Sequence, residues 1–184
     1  MNTTSNNKPG TLVDRAIVLV GLMGSGKSSI GRRLATRLNM KFTDADSEIE
    51  TAAGCSIADF FERHGEPAFR DGERRVIARL LDEGPRVLAT GGGAFIDPGT
   101  RSLLAEKAIT VWLHAELDLL VKRCARRDTR PLLRAGDPRE ILASLIEERY
   151  PIYGQADITI ETDDGPHAET VDKIVTALQA RVAS

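Results

Sequence analysis

The stretch that decides the fold is Ala16-Ile-Val-Leu-Val-Gly21-Leu-Met-Gly-Ser-Gly26-Lys27-Ser28, which runs on into the helical pattern SIGRRLATRL. The apolar run is typical of a buried strand, and residues 21–28 read G-x-x-x-x-G-K-S between that strand and the helix. Glycines let backbone N–H groups turn inward around a phosphate, and the helix N-terminus adds positive potential at the same point. The stretch therefore predicts a nucleotide-binding α/β domain.

A glycine-rich turn that only joined a strand to a helix would not need a lysine followed by a hydroxyl at this register. We expect Lys27 to reach the β- and γ-phosphates of ATP and the Ser28 hydroxyl to ligate Mg²⁺. The segment expected to surround the nucleotide is Gly24, Ser25, Gly26, Lys27, Ser28 and Ser29.

A phosphate loop alone leaves the reaction open among a small-molecule kinase, a GTPase switch and an ATP-driven motor. The chain has no N-K-x-D segment of the kind that reads guanine, and the apolar strand that ends at Thr90 is followed by glycines instead of Asp-Glu. Both observations argue against a nucleotide hydrolase. They favour a kinase of a small molecule.

The chain has 184 residues, 41% hydrophobic and 28% charged, which suits one globular domain with a real core. A net charge of −2 and 4% aromatic residues give neither a positive field nor a stacking pattern for nucleic acid. No apolar run approaches the roughly 18 residues of a membrane span. Cys55 and Cys124 form no C-x-x-C unit. We expect a cytoplasmic monomer that binds neither nucleic acid nor membrane, with a flexible tail at residues 1–14 and one domain at residues 15–184.

Short β-branched runs alternate with helical patterns, which predicts a parallel sheet covered by helices. The predicted strands are Ala16–Val20, Lys41–Thr43, Arg86–Thr90, Ile109–Leu113 and Ile158–Glu161. Helices are expected to begin where proline follows an acidic residue, at Pro67, Pro98 and Pro138.

Two sequence features after the strands suggest a site for the phosphate acceptor. Asp44 and Asp46 follow a short strand, so one carboxylate could serve Mg²⁺, usually through water, while the other takes or orients the proton of an acceptor hydroxyl. The alternative is that Asp46 only caps the next helix. The triplet Gly91, Gly92 and Gly93 predicts close approach of backbone and ligand, with a plain tight turn as the alternative.

Two arginines stand at or beside apolar stripes. Arg149 continues the helical spacing of Ile141 and Leu145, and Arg70 borders a buried face with Glu73 three residues on. Two guanidinium groups in one pocket would suit an acceptor carboxylate, because the planar fork can bind it at two points. Structural ion pairs are the alternative for both arginines.

The polar segment 126–138 lacks helical and strand periodicity and is longer than the usual connection, so we interpret it as a lid. Between Lys122 and Arg134 six basic residues stand against Asp128, too few local acids to hold them. Arg130, fixed before a proline, is the residue expected to fold over the transferring phosphoryl group and exclude water.

Together these residues resemble the shikimate kinase family, over nearly the whole chain from Ala16 to Val182. The phosphate loop is shared by many kinases, whereas the combination is specific. It consists of GLMGSGKSSIGRRLA, the D-x-D of Asp44 and Asp46, F-R-x-x-E from Phe69 to Glu73, the glycine triplet, R-P-L-L from Arg130, and E-R-x-x-x-Y from Glu148 to Tyr153.

The resemblance implies a nucleoside-monophosphate-kinase-like fold, a three-layer αβα sandwich with parallel strand order 2-3-1-4-5 and a mobile lid. It implies ATP-dependent phosphorylation of the 3-hydroxyl of shikimate, in aromatic amino-acid biosynthesis. The resemblance implies that Asp46 binds the reacting hydroxyl and that Asp44 lies near Mg²⁺. It implies that Arg70 and Arg149 bind the carboxylate and that Gly91, Gly92 and Gly93 contact the substrate. Arg130 corresponds to the arginine of the family's lid.

Two alternatives stay open at this point. A gluconate kinase would also be compact and would also act on a carboxylated polyol, and a regulatory module would bind ATP without transferring phosphate. The adenine side is undecided, because residues 162–166 (TDDGP) lack a basic residue that some family members have there.

Overall fold

The computed structural model describes residues 14–126 and 136–183. Five strands form one parallel sheet in the order β2-β3-β1-β4-β5, which confirms the predicted topology. The strands are β1 Ala16–Val20, β2 Lys41–Asp44, β3 Arg86–Ala89, β4 Ala108–Ala115 and β5 Ile158–Thr162. The central strand β1 pairs Leu19 with Ala89 on one side and with Val111 on the other.

Within the described ranges the chain forms seven α-helices and one short 3₁₀ helix. These are α1 Lys27–Leu38, α2 Ala45–Ala53, α3 Ile57–Asp82, the 3₁₀ turn Ala94–Ile96, α4 Pro98–Lys107, α5 Leu117–Ala125, α6 Pro138–Tyr153 and α7 His167–Val182. In this part of the chain no helix combines the length and the apolar character that crossing a bilayer requires.

The sheet is covered on both faces, because β1 is buried at every position and its side chains alternate between two cores. Ile17 and Leu19 belong to one apolar cluster, built largely with α1 and α7. Val18 and Val20 belong to the other cluster, built with residues of α3, α4 and α6. The result is the expected three-layer arrangement, with α2 and α3 packed against each other beside the end of β2.

Aspartate caps and first-turn prolines start two helices as predicted. The Asp97 side chain accepts from the Thr100 N–H at the start of α4, and Asp137 accepts from the Arg139 N–H at the start of α6. The predicted helix start at Pro67 coincides with a break inside α3, which as a whole runs from Ile57 to Asp82.

The break has a local cause. Gly65 adopts φ 79° and ψ 173°, an extended positive-φ conformation that glycine reaches at little cost. Pro67 lies in the first turn after this break, where its missing N–H has no carbonyl partner to lose. The proline therefore lies in the first turn of the second helical segment, as predicted, while the segment before the break was not predicted.

Candidate active site

A cleft of about 460 Å³ opens at the carboxyl ends of the parallel strands, where folds of this type bind ligands. It is lined by segments that follow β1, β2, β3, α5 and β5. The lining residues are Met23, Gly24, Gly26, Lys27, Ser28, Ser29, Asp44, Asp46, Thr90, Gly91, Gly92, Arg123, Arg126, Asp164, Gly165 and His167.

The phosphate loop is built around glycines in the left-handed region. Gly24 and Gly26 have φ angles of 82° and 97°, and Gly26 immediately precedes the first residue of α1. A Cβ atom on Gly24 would lie 2.9 Å from the Cys124 sulfur, so this buried cysteine packs beneath the loop. The backbone here adopts the conformation that an inward-facing ring of N–H groups requires.

Lys27 lies across this loop and is only 8% exposed. Its ammonium group donates to the carbonyl oxygens of Gly21 at 2.7 Å and Leu22 at 2.9 Å. Within the described chain the neighbouring Ser25 hydroxyl is buried and has no hydrogen-bond partner. A buried donor without a partner is costly, which is consistent with a polar ligand at this loop.

Ser28 and Asp44 form the oxygen-rich corner of the cleft. The Ser28 hydroxyl donates to Asp44 Oδ2 at 2.9 Å, while Asp44 Oδ1 accepts from the backbone N–H groups of Asp46 and Ser47. Asp44 is therefore the cap of α2, and the alternative in which Asp46 caps this helix is wrong. Among the described residues no cluster of three or more His, Cys, Asp or Glu side chains forms a metal cage.

Asp46 points toward the glycine triplet instead. A Cβ atom on Gly91 would lie 2.8 Å from Asp46 Oδ1. Burial and the nearby Asp44 carboxylate raise the pKa of Asp46, although the charge of Lys27 opposes them. A carboxylate in this environment has a greater affinity for a proton than an exposed aspartate.

The other two glycines of the triplet face the two arginines. A Cβ atom on Gly92 would lie 3.6 Å from Arg149 Nη1, and one on Gly93 would overlap the Arg70 guanidinium. None of these three described glycines has a positive φ. The triplet is thus explained by close approach, as predicted, but it is the protein's own charged side chains that come close.

Arg70 is held by acidic neighbours on α3. It forms an ion pair with Glu73 at 2.7 Å, as the sequence predicts, and a longer one with Glu66 at 3.4 Å. Glu73 is 1% exposed, and burial raises its pKa despite the favourable charge of Arg70. The buried carboxylate fixes the guanidinium beside Gly93.

Arg149 lies on α6 among different partners. Within the described residues its Nε is buried without a hydrogen-bond partner. Its charge acts on the nearby Tyr153 hydroxyl, which donates to the Gly92 carbonyl oxygen. Unlike Arg70, Arg149 has no ion pair with a described acidic side chain.

The far end of the cleft contains residues that the sequence did not single out. Arg123 Nη1 lies 3.3 Å from the carbonyl oxygens of Gly24 and Ser25, and Nη2 donates to the Asp163 carbonyl at 2.7 Å. Burial lowers the pKa of Arg123. His167 lies beside it, and burial likewise lowers the pKa of this imidazole. The only sequence signal was the basic run that begins at Lys122.

The expectation that this basic run lacks partners is wrong at its start. Lys122 pairs with Asp164, and Arg123 is bound by backbone carbonyls across the cleft. The missing partners come from the loop after β5, which is about 40 residues away in the sequence. Most of the predicted lid, with Arg130, lies outside the described residues, as does the tail up to residue 13.

The other predicted residues meet in one place. The phosphate loop, Asp44, Asp46, Gly91 and Gly92 line the cleft. Arg70, Gly93 and Arg149 do not line it, but they contact its wall through the glycine triplet. The geometry therefore joins an anion-binding loop to a second polar site that carries one aspartate and two arginines.

Comparison with known proteins gives one consistent result. A family model described as shikimate kinase matches residues 23–179. A shikimate kinase of Caulobacter vibrioides (strain NA1000 / CB15N) is 59% identical over 165 residues, which cover 90% of this chain and 82% of that protein.

Solved structures agree with the sequence comparison. The shikimate kinase from Acinetobacter baumannii in complex with shikimate superposes with a TM-score of 0.86 at 38% identity, covering 92% of this chain and 95% of that one. A gluconokinase from Sinorhizobium meliloti has a TM-score of 0.65 at 21% identity over 92% of this chain and 94% of that one, so it shares the fold alone. The family match spans most of the chain and includes the residues around the cleft, and the chain belongs to the shikimate kinase family.

Proposed function

We propose a division of roles within the cleft by which this chain carries out the ATP-dependent phosphorylation of shikimate. The reaction follows from membership in the family. The roles of individual residues are argued from geometry. One end of the cleft is a phosphate loop, and the other is a polar site next to the glycine triplet.

The phosphate loop binds the β- and γ-phosphates of ATP through its backbone N–H groups. Lys27 exchanges its two carbonyl partners for phosphate oxygens and follows the γ-phosphoryl group as its charge redistributes. Arg123 and the loop containing Asp164 and Gly165 enclose the end where the nucleoside lies.

Ser28 and Asp44 would hold Mg²⁺, Asp44 through water. The donor set fits this ion, because hydroxyl and carboxylate oxygens are the ligands that hard divalent cations prefer, and Mg²⁺ usually takes few protein ligands beside water and phosphate. When bound, the ion neutralises charge on the β- and γ-phosphates. The Ser28–Asp44 hydrogen bond keeps the two oxygens together at the end of β2.

Asp46 orients the 3-hydroxyl of shikimate and accepts its proton as the phosphoryl group is transferred. Its raised pKa makes it a better proton acceptor than an exposed aspartate. Arg70 and Arg149 bind the carboxylate of shikimate with charged hydrogen bonds. The backbone of Gly91–Gly93 lies between these groups without side chains that would block them.

A single observation carries this proposal: Asp46, Arg149 and Arg70 each lie against one glycine of the same triplet. A regulatory module that only bound ATP would need no second polar site beside the phosphate loop. A gluconate kinase would need a second site, so the substrate must be tested directly.

The test measures ADP release with shikimate, with gluconate and with no acceptor. We expect release that depends on shikimate, little release with gluconate, and almost none without acceptor. Preference for gluconate would contradict the assignment. Tight nucleotide binding without release under any condition would instead support the regulatory alternative.

The proposal also includes a lid residue, Arg130, which lies outside the described residues. Its position before a proline in a basic segment supports a role in stabilising charge on the transferring phosphoryl group. We expect Arg130→Ala to lower kcat while leaving shikimate binding within about threefold. We further propose a monomeric, cytoplasmic protein, and size-exclusion chromatography with light scattering tests the monomer.

A further inference from the structure

Tyr153, the last residue of α6, has no role in the assignment given above. Its side chain is completely buried, at 0% exposure, and it is among the largest fully buried side chains of the described chain. Its ring packs against Phe95 at 6.4 Å and Trp112 at 5.9 Å between ring centroids. A tyrosine in an apolar core needs a partner for its hydroxyl.

The hydroxyl lies beside two groups of the acceptor site. It donates to the carbonyl oxygen of Gly92, and the Arg149 guanidinium is close enough to act on the pKa of the phenol. Arg149 itself lies next to Gly92, because a Cβ atom there would be 3.6 Å from Nη1. Tyr153 thus connects helix α6 with the loop after β3 at the point where the arginine meets the glycine.

The chemistry of the groups fixes which of them donates. The Gly92 carbonyl can only accept, so the phenol donates its proton to that oxygen and leaves its lone pairs facing Arg149, which can only donate. Burial raises the pKa of Tyr153 to about 12, so the phenol keeps its proton at any working pH. The phenol therefore keeps the proton that it donates to Gly92 at neutral pH.

We propose that Tyr153 is a positioning residue, which orients Arg149 and the Gly92 backbone for the carboxylate of shikimate. This inference rests on the proposed role of Arg149. Arg149 lies four residues before Tyr153 and so on the same face of α6. Without the hydroxyl, the guanidinium loses the contact that fixes its plane, and a two-point interaction with a carboxylate depends on that plane.

The same helix offers a matched control. Tyr150 also has a partly buried phenol whose pKa burial raises to about 12, and it also donates to a backbone carbonyl, that of Ala115 at 2.5 Å. Its ring packs against Trp112 and His114, each at 5.0 Å between centroids. Tyr150 therefore makes a hydrogen bond of the same type, but its hydroxyl donates to Ala115 and not to the glycine triplet.

The experiment compares Tyr153→Phe with Tyr150→Phe. We expect Tyr153→Phe to weaken shikimate binding about 10-fold in calorimetric titration, the size of one lost hydrogen bond, and to raise the KM for shikimate similarly. The KM for ATP should stay within about twofold. Tyr150→Phe should leave both KM values unchanged, and urea unfolding of both variants shows whether they lose similar stability.

A double-mutant cycle with Arg149→Lys separates positioning from general packing. If Tyr153 acts through Arg149, the double variant should bind shikimate about as weakly as Arg149→Lys alone. If the double variant instead loses shikimate affinity by the product of the two single losses, the inference is overturned. Equal losses of shikimate affinity in Tyr153→Phe and Tyr150→Phe would also overturn it. If Arg149→Lys alone leaves shikimate affinity unchanged, the proposed role of Arg149 fails, and the inference about Tyr153 fails with it.

Discussion

Asp46 is subject to opposing demands from folding and from catalysis. Its carboxylate is partly buried near Asp44, so the ionised form is less favourable in the folded protein than in the unfolded chain. Proton acceptance from a substrate hydroxyl needs that same ionised form. Stability and activity should therefore respond to Asp46 in opposite directions.

We expect Asp46→Asn to lower kcat by about 100-fold or more, because the amide cannot accept the proton. At neutral pH the variant should be more stable than the wild type. The pKa of Asp46 is raised in the folded state, so above this folded-state pKa the wild type bears the full cost of ionising Asp46. The cost disappears as the pH falls below 3.8, the pKa of Asp46 in the unfolded chain, because the carboxyl group is then protonated in both states. The difference in unfolding free energy should therefore shrink toward acid pH. A stability difference that is constant with pH would show that the charge of Asp46 is not its cause.

Gly93 tests the explanation given for the glycine triplet. A methyl group there would overlap the Arg70 guanidinium, whereas one at Gly72, in the same region of the molecule, has nothing within 4 Å. We expect Gly93→Ala to weaken shikimate binding about 10-fold or more and to leave nucleotide binding within about twofold. Gly72→Ala serves as the control and should leave both affinities unchanged. Unchanged shikimate affinity in Gly93→Ala would show that Arg70 can move aside without consequence.

At the scale of elements, helix α3 contains two glycines that should respond to substitution with opposite signs. Gly72 lies in the helix with open space around it, so Gly72→Ala should stabilise the protein by about 0.5–1 kcal/mol. Gly65 has a φ of 79° and a ψ of 173°, so Gly65→Ala should destabilise it by about 1–3 kcal/mol.

Urea unfolding of the two alanine variants measures this contrast directly. The neighbouring Pro67 Cδ would be 3.9 Å from a Cβ on Gly65, so the expected loss comes from backbone conformation and not from a clash. A stabilised Gly65→Ala variant would mean that α3 can run straight through the break.

The strands were predictable because short β-branched or apolar runs alternate with helical patterns along the chain. Strand β1 was predicted with its observed bounds, because its five apolar residues end directly at the glycine that opens the phosphate loop. Strand β4 extends to Ala115, further than predicted, because the residues after Leu113 still pair with β5. The start at Pro67 was predicted from the proline, whereas the helical segment from Ile57 to the break at Gly65 was not.

Within the site, local contacts could be predicted and distant ones could not. The Arg70–Glu73 pair follows from three-residue spacing on a helix. The contact of Tyr153 with Gly92 joins residues 61 apart, and it depends on how α6 packs against the loop after β3. The same holds for Arg123, whose carbonyl partners lie 98 and 99 residues away. Sequence patterns indicated contacts between neighbours on one helix but not contacts between elements that are distant in the sequence.

At the scale of the whole molecule, the cleft is assembled from two separate parts of the fold. The phosphate side comes from the loop between β1 and α1. The arginines of the acceptor side come from α3 and α6, on the other side of the glycine triplet. Since different elements supply the two sides, a substitution on one side should leave binding at the other nearly intact.

Lys27→Ala and Arg149→Lys test this separation as a reciprocal pair. Lys27→Ala removes the cation at the phosphates, so turnover should be lost and nucleotide affinity should fall, while shikimate affinity stays within about threefold. Arg149→Lys keeps the charge but loses the planar fork. Loss of a charged hydrogen bond costs about 1.5–3 kcal/mol, so shikimate affinity should fall about 10- to 150-fold while nucleotide affinity holds.

The measurements are titrations of each variant with shikimate and, separately, with a non-hydrolysable ATP analogue. Arg75→Lys is the control for arginine replacement, because the Arg75 side chain is 80% exposed and forms an ion pair with Asp71 on the surface of α3. It should change neither affinity. If Arg149→Lys instead weakened the nucleotide and spared shikimate, Arg149 would belong to the phosphate side. The acceptor carboxylate would then have to be bound by Arg70 alone, with the Arg149 guanidinium directed at the transferring phosphoryl group.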